Sequence, residues 1–227
     1  MGSGEAVSWR RAVEDGLQVL AGRWVVAILA ALAQGPLRSN ALLNEINAAG
    51  GRLGRRGQPL DHRVLKDTTN RLGLDGLLVE HDDPTPHPYV LYELTSRGLA
   101  LLVCLRPLAK WARSAPDGER LSWREAVELA VDALRGVWVL PILAALAQGP
   151  LRSGELRTEI NSAEAARQDR ADLDFRVLKD TTTRLIGDGL LIEHSSPTRS
   201  LVRYELTQRG QALVVAVRPL ADWASTA

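Results

Sequence analysis

The twelve residues ILAALAQGPLRS at Ile28–Ser39 recur without a change at Ile142–Ser153, an offset of 114. Identity over that length marks an internal duplication, and a duplicated unit must bury its apolar face within itself or against its copy. Working outward, Ser8-Trp9 matches Ser122-Trp123 at the same offset. The offset falls to 113 at VLKDTT (Val64–Thr69 and Val177–Thr182) and to 112 at YELT (Tyr92–Thr95 and Tyr204–Thr207). Length changes are tolerated mainly in surface loops, so one loop is expected before Val64 and another between His81 and Tyr92. Ser114–Leu121, SAPDGERL, sets Pro116 and Gly118 among polar residues, as a linker does. The expected organisation is repeat 1 over residues 1–113, a linker over 114–121 and repeat 2 over 122–227.

In the first copy, Trp9–Leu20 has apolar residues at helical spacing, and Trp24–Ala33 reads as a more fully buried helix stopped by Gly35-Pro36. Ser39 is the expected N-cap of a short helix to about Asn47, with Ala41, Leu42 and Ile46 inward. A Gly- and Arg-rich loop, Ala48–Pro59, follows. Asp61 then caps a helix whose apolar stripe is Leu65, Thr68, Thr69 and Leu72, ending near Asp75-Gly76. Leu77–His81 and Tyr89–Leu94 read as two strands joined by a Pro-containing turn, a hairpin that makes a wing. Thr95 caps a mainly apolar helix, Ser96–Arg113, which Pro107 should kink or interrupt.

Composition narrows the function. The apolar runs Trp24–Ala33 and Val137–Ala147 fall short of the roughly 20 residues that a bilayer span requires, so no membrane helix is expected. The start, MGSGEAVSWRR, has no apolar stretch after a basic beginning, and a cytoplasmic protein is expected. A single cysteine, Cys104, leaves no internal disulfide and no thiolate zinc cluster. It lies in the apolar run LALLVCLRPL and reads as packing. The histidines show no ligand spacing with carboxylates or cysteines, and no nucleophile stands beside a local base, so neither a metal, a cofactor nor an enzymatic activity is expected. The net charge is +1, with 14 Arg plus Lys against 11 Asp plus Glu in residues 1–113 and 14 against 16 in the remainder. Any nucleic-acid contact must therefore come from a local basic face.

The phrases GRWVVAILAALAQGPLRS, RVLKDTTNRLGLDGLLVEH, YELTSRG and RPLAKWA, in that order, resemble the HxlR-type family of bacterial winged-helix transcription regulators. The second copy, with GVWVLPILAALAQGPLRS, RVLKDTTTRLIGDGLLIEH, YELTQRG and RPLADWA, resembles it equally. The resemblance implies a helix-turn-helix whose third helix lies in the DNA major groove, a wing near the phosphates or minor groove, and dimerisation through terminal helices. Carried onto this chain, the recognition helices are Asp61–Asp75 and Asp174–Asp188, and the seam involves the Trp9, Trp111, Trp123 and Trp223 segments. The expected fold is mainly α with small β-hairpin wings: two tandem winged helix-turn-helix domains forming an intrachain pseudo-dimer, monomeric or further paired as a homodimer.

On the recognition helices, the positions off the apolar stripe are Arg63, Lys66, Asp67, Asn70 and Arg71, and Arg176, Lys179, Asp180, Thr183 and Arg184. Arg and Lys read guanine edges or bind phosphate, and Asn pairs with adenine, so these types at helical spacing suit readout of double-stranded DNA. The same pattern also describes an ordinary solvated helix face. Ser39 and Ser153, at the start of the third helix of each copy, join the DNA-binding set, as do Arg199 and Arg203 on the second wing. The first wing is acidic or neutral at Asp82, Asp83 and His87, so unequal half-site contacts are expected. Arg52, Arg55 and Arg56 in one long loop, and Arg167 and Arg170 in the other, are candidates for phosphate contacts. The alternative function is a winged-helix pseudo-dimer repurposed for small-molecule or protein binding. It is motivated by the near-zero net charge and by tryptophans at the seam that could line an effector site.

Overall fold

A computed structural model describes residues 3–51, 59–82, 90–116, 118–165, 172–196 and 199–226. It is mainly helical, and one succession of elements occurs twice. The first consists of α1 (Ser3–Val19), α2 (Val25–Leu32), β1 (Leu37–Arg38), α3 (Ser39–Gly51), α4 (His62–Leu74), β2 (Leu78–Asp82), β3 (Val90–Leu94) and α5 (Ser96–Arg113). After a 3-10 turn at Gly118–Arg120 come α6 (Trp123–Ala133), α7 (Val139–Leu146), β4 (Leu151–Arg152), α8 (Ser153–Ala165), α9 (Phe175–Gly187), β5 (Leu191–Ser196), β6 (Arg199–Leu206) and α10 (Gln208–Ser225). Among the described residues, no helix is long and apolar enough to cross a membrane.

Each copy has a three-stranded antiparallel sheet, in the orders β1-β3-β2 and β4-β6-β5. The hairpin register sets Leu78 opposite Leu94 and Leu191 opposite Leu206. The outer strands β1 and β4 are a difference from the sequence reading. Two residues carry no period-2 pattern, so only the pairing of Leu37 with Tyr92, and of Leu151 with Tyr204, reveals them. Gly35 and Gly149 turn the chain into these strands at φ of 134° and 142°, a backbone conformation that L side chains rarely adopt.

The helices follow their apolar patterns. In α2, Val25–Leu29, Ala31 and Leu32 are buried, as a helix apolar all round must be. The third helix departs from expectation: α3 starts at Ser39 itself and runs to Gly51, absorbing part of the anticipated loop, and Ala41 faces solvent while Leu42 and Ile46 are buried. Neither Pro107 nor Pro219 interrupts its helix. Each proline deprives the carbonyl four residues earlier of its helical partner, but those residues, Val103 and Val215, lie on the solvent side, where water can take the bond.

The two copies meet along their terminal helices, with α1 on α10 and α5 on both α10 and α6. Gly16 lets α1 approach α10, since a Cβ there would stand 2.7 Å from Leu220 Cγ. The indole contacts are reciprocal. Trp111 Nε1 donates to the Arg209 carbonyl at 2.9 Å beneath the Arg209 guanidinium, and Trp223 Nε1 donates to the Arg97 carbonyl at 3.2 Å beneath that of Arg97. Both indoles thus bury a large apolar surface while keeping their one polar atom bonded. Trp9, Trp24, Trp123 and Trp138 are only partly buried. Cys104 is half-buried, and burial, reinforced by Asp222, raises its thiol pKa.

Candidate nucleic-acid interface

The surface built by α4 and α9 begins with how each helix is started. Asn47 in α3 clamps the chain ahead of α4: its Nδ2 donates to the Leu60 carbonyl at 2.9 Å and its Oδ1 accepts from the Leu60 N–H at 2.8 Å. Asn161 treats Leu173 the same way, at 3.2 and 2.8 Å. The side-chain amide imitates one rung of a β-ladder and satisfies both backbone groups of a buried residue. The next residue caps the helix, with the carboxylates of Asp61 and Asp174 accepting from the N–H groups of Val64 and Val177, each at 2.8 Å. At the far end, Gly76 and Gly189 take φ of 69°, and Leu77 N and Leu190 N reach back to the carbonyls of Leu72 and Leu185. That is a Schellman stop, and it fixes where the hairpin departs.

The helices bury one stripe each: Leu65, Thr69 and Leu72 in α4, and Leu178, Thr182 and Leu185 in α9. The fully buried threonines cost little because their hydroxyls bond within the helix. Thr69 donates to the Lys66 carbonyl at 3.0 Å, and Thr182 to the Leu178 carbonyl at 2.9 Å. Thr68, expected on the stripe, is only half-buried. At 100° per residue, Arg63, Asp67 and Asn70 stand opposite the stripe with Lys66 and Arg71 on the flanks. All five are exposed, as are Arg176, Lys179, Asp180, Thr183 and Arg184.

The structure gives some predicted residues a second role. Arg71 Nη2 donates to the Ala21 carbonyl, and Arg184 Nη2 donates to the Arg135 carbonyl at 2.5 Å. These guanidinium groups tie the end of each exposed helix to the connection between the first two helices of its copy. Part of their donor capacity is thus used internally, and Arg184 Nε also lies 4.0 Å from Asp188 Oδ2. Ser39 and Ser153 are half-buried first residues of α3 and α8. Arg203 is exposed, but its Nη2 reaches the Pro150 carbonyl at 3.3 Å, which places it at the base of its hairpin. Arg199 opens β6, and its side chain lies outside the described residues. So do Arg52, Arg55, Arg56, Arg167, Arg170, Asp83 and His87. Cross-strand pairs sit on both hairpins, with His81 Nε2 3.1 Å from Glu93 Oε2 and His194 Nε2 3.2 Å from Glu205 Oε2.

One residue was overlooked in the sequence. Arg23 places its guanidinium 4.7 Å from the centroid of the Trp24 ring, beside a cleft of about 400 Å³ that Asp67, Thr68 and Arg71 also line. Its counterpart is Val137, 58% exposed. The signal was present as a difference between otherwise matched phrases, GRWVV against GVWVL.

Helix, short strand, helix, exposed helix, hairpin: this order places a capped, basic-flanked helix outside a compact support. Residues 19–119 match the HxlR-like helix-turn-helix family. The HxlR-like segment spans the first copy from the end of α1 through α5 and includes α4. The match suggests DNA binding and transcription regulation. None of the curated proteins matches the chain. The second copy lies beyond the HxlR-like segment and is related to it through the shared phrases and the shared order of elements.

Proposed function

We propose that the protein is a sequence-specific DNA-binding transcription regulator in which one chain supplies both heads of the usual dimer. Residues 1–113 and 122–227 form two winged helix-turn-helix units joined by 114–121, with the seam of terminal helices closing them into an intrachain pseudo-dimer. The observation that carries this reading is the pair of exposed helix faces. Opposite a buried stripe, α4 presents Arg63, Asp67 and Asn70 flanked by Lys66, and α9 presents Arg176, Asp180 and Thr183 flanked by Lys179. With a net charge of +1, affinity must come from such local faces and not from bulk attraction.

Arg63 and Arg176 read guanine edges, and Lys66 and Lys179 reach guanine or phosphate. Asp67 and Asp180 accept from cytosine N4 or orient the neighbouring arginine. Asn70 can form the bidentate pair with adenine, which Thr183 cannot, so the two half-sites differ and the operator is an imperfect palindrome. Ser39, Ser153, Arg71, Arg184, Arg199 and Arg203 add contacts around these helices, and the loop arginines 52, 55, 56, 167 and 170 extend them along the phosphates. The two helices dock about one turn, roughly 34 Å, apart.

Selection of bound sequences from a random duplex pool tests this. A two-part motif is expected, with binding lost in both Arg63→Ala/Lys66→Ala and Arg176→Ala/Lys179→Ala proteins and a steep fall of affinity with salt. Weak binding that is blind to sequence at low salt would refute it.

A further inference from the structure

The duplication is broken at a buried ion pair. Arg10 on α1, 4% exposed, bonds through Nη2 to Oε1 of Glu164 on α8, which is 1% exposed, while Arg10 Nε lies 3.8 Å from Glu14. The counterpart of Arg10 is Arg124 on α6, and the counterpart of Glu14 is Glu128; Arg124 Nε donates to Glu128 Oε1 at 2.8 Å. The counterpart of Glu164 is glycine: both are the twelfth residue of their thirteen-residue helices, α8 and α3. Arg124 therefore keeps the intrahelical carboxylate and lacks the one that crosses the seam. Its side chain is only 14% exposed, and its carboxylate partner is Glu128 of its own helix.

Beside Arg124, and next in sequence to Gly50 through Ala49, there is a cleft of about 300 Å³. Its walls are apolar and small, from Ala27, Ala30 and Ala31 of α2 and Ile46 and Ala49 of α3, and Arg124 closes one side. Such a space suits a small organic molecule with an apolar body and one polar end. Burying a guanidinium is favourable when its donors are met by acceptors, most strongly by a carboxylate. The first copy shows that this arginine accommodates two carboxylates at once. The remaining charges facing the cleft are Glu45 and Glu125, the latter also accepting from Ser122 N at 2.7 Å. They weaken the hold on any anion, and most on one with more than one negative charge.

We propose that this cleft between α2, α3 and α6 binds a small apolar monocarboxylic acid, whose carboxylate takes on Arg124 the place that Glu164 takes on Arg10. The site joins the two copies, so its occupancy would bias how they sit together. The inference is independent of DNA binding, and its test does not use DNA. The full chain is titrated with 4-methylpentanoate, phenylacetate, the matched neutral amides and a dicarboxylate, followed by thermal unfolding and calorimetry. Ligand at ten times Kd should raise the midpoint by roughly 3–6 °C. The amides and the dicarboxylate should bind at least tenfold more weakly. Arg124→Gln should abolish the shift. Because that variant could also lose its fold, Gly50→Glu provides the second arm: it installs the absent carboxylate, should raise the midpoint without ligand and should remove the response to the acids. Equal binding of acid and amide, an undiminished response in Gly50→Glu, or no response to either monocarboxylate at millimolar concentration would overturn the proposal.

Discussion

Replacing Asn47 with alanine should destabilise the protein out of proportion to the size of the side chain removed. The asparagine holds both backbone groups of Leu60, at 2.9 and 2.8 Å, and Leu60 is 3% exposed. The variant loses two hydrogen bonds worth about 1 kcal/mol each and leaves a buried N–H and carbonyl short of partners, which brings the expected cost to about 2–3 kcal/mol. For a chain of this length that is a fall in Tm of roughly 4–12 °C. Urea unfolding gives the free energy, and hydrogen exchange at the Leu60 amide locates it, since that N–H should lose most of its protection. A smaller loss is expected for Asn161→Ala, whose donor bond to Leu173 is longer at 3.2 Å. A change below about 0.5 kcal/mol in Asn47→Ala, the range of an ordinary surface substitution, would show that the clamp does not set the start of α4.

Three further outcomes follow from the packing. A Cβ at Gly98 or Gly210 would stand 2.2 Å from the carbonyl oxygen of Leu77 or Leu190, so Gly98→Ala and Gly210→Ala should each cost at least about 1–3 kcal/mol, by denaturant unfolding. Trp111→Phe keeps most of the ring but leaves the Arg209 carbonyl without its indole donor and should cost about 1–2 kcal/mol, the same assay reading the loss. The raised pKa of Cys104 means less thiolate at any given pH, so alkylation by iodoacetamide at pH 8 should be several-fold slower than for a free thiol and should recover as pH rises.

Much of the fold was legible because the informative signals were local. The span Ser96–Arg113 and its Thr95 cap, the Asp61 cap and the Gly76 stop all follow from side-chain chemistry within one turn of helix. What escaped depended on partners distant in sequence. β1 exists only because Leu37 meets Tyr92, and α5 passes Pro107 only because the orphaned carbonyl faces water. The candidate site shows the same divide. The exposed face of α4 could be read from periodicity, whereas the tether from Arg71 to Ala21, fifty residues away, could not. The buried Arg10–Glu164 pair was equally hidden, since a residue contact between copies leaves no mark in either copy alone.

In the proposed function, one chain carries two DNA-reading heads. Hydroxyl-radical footprinting of the selected site, with one bound chain per duplex established by sedimentation, tests it most directly. Two protected segments about one turn apart are predicted, and both should disappear in Arg176→Ala/Lys179→Ala at concentrations that saturate the parent protein. A single segment in the parent protein, or two segments that require two chains, would contradict the account.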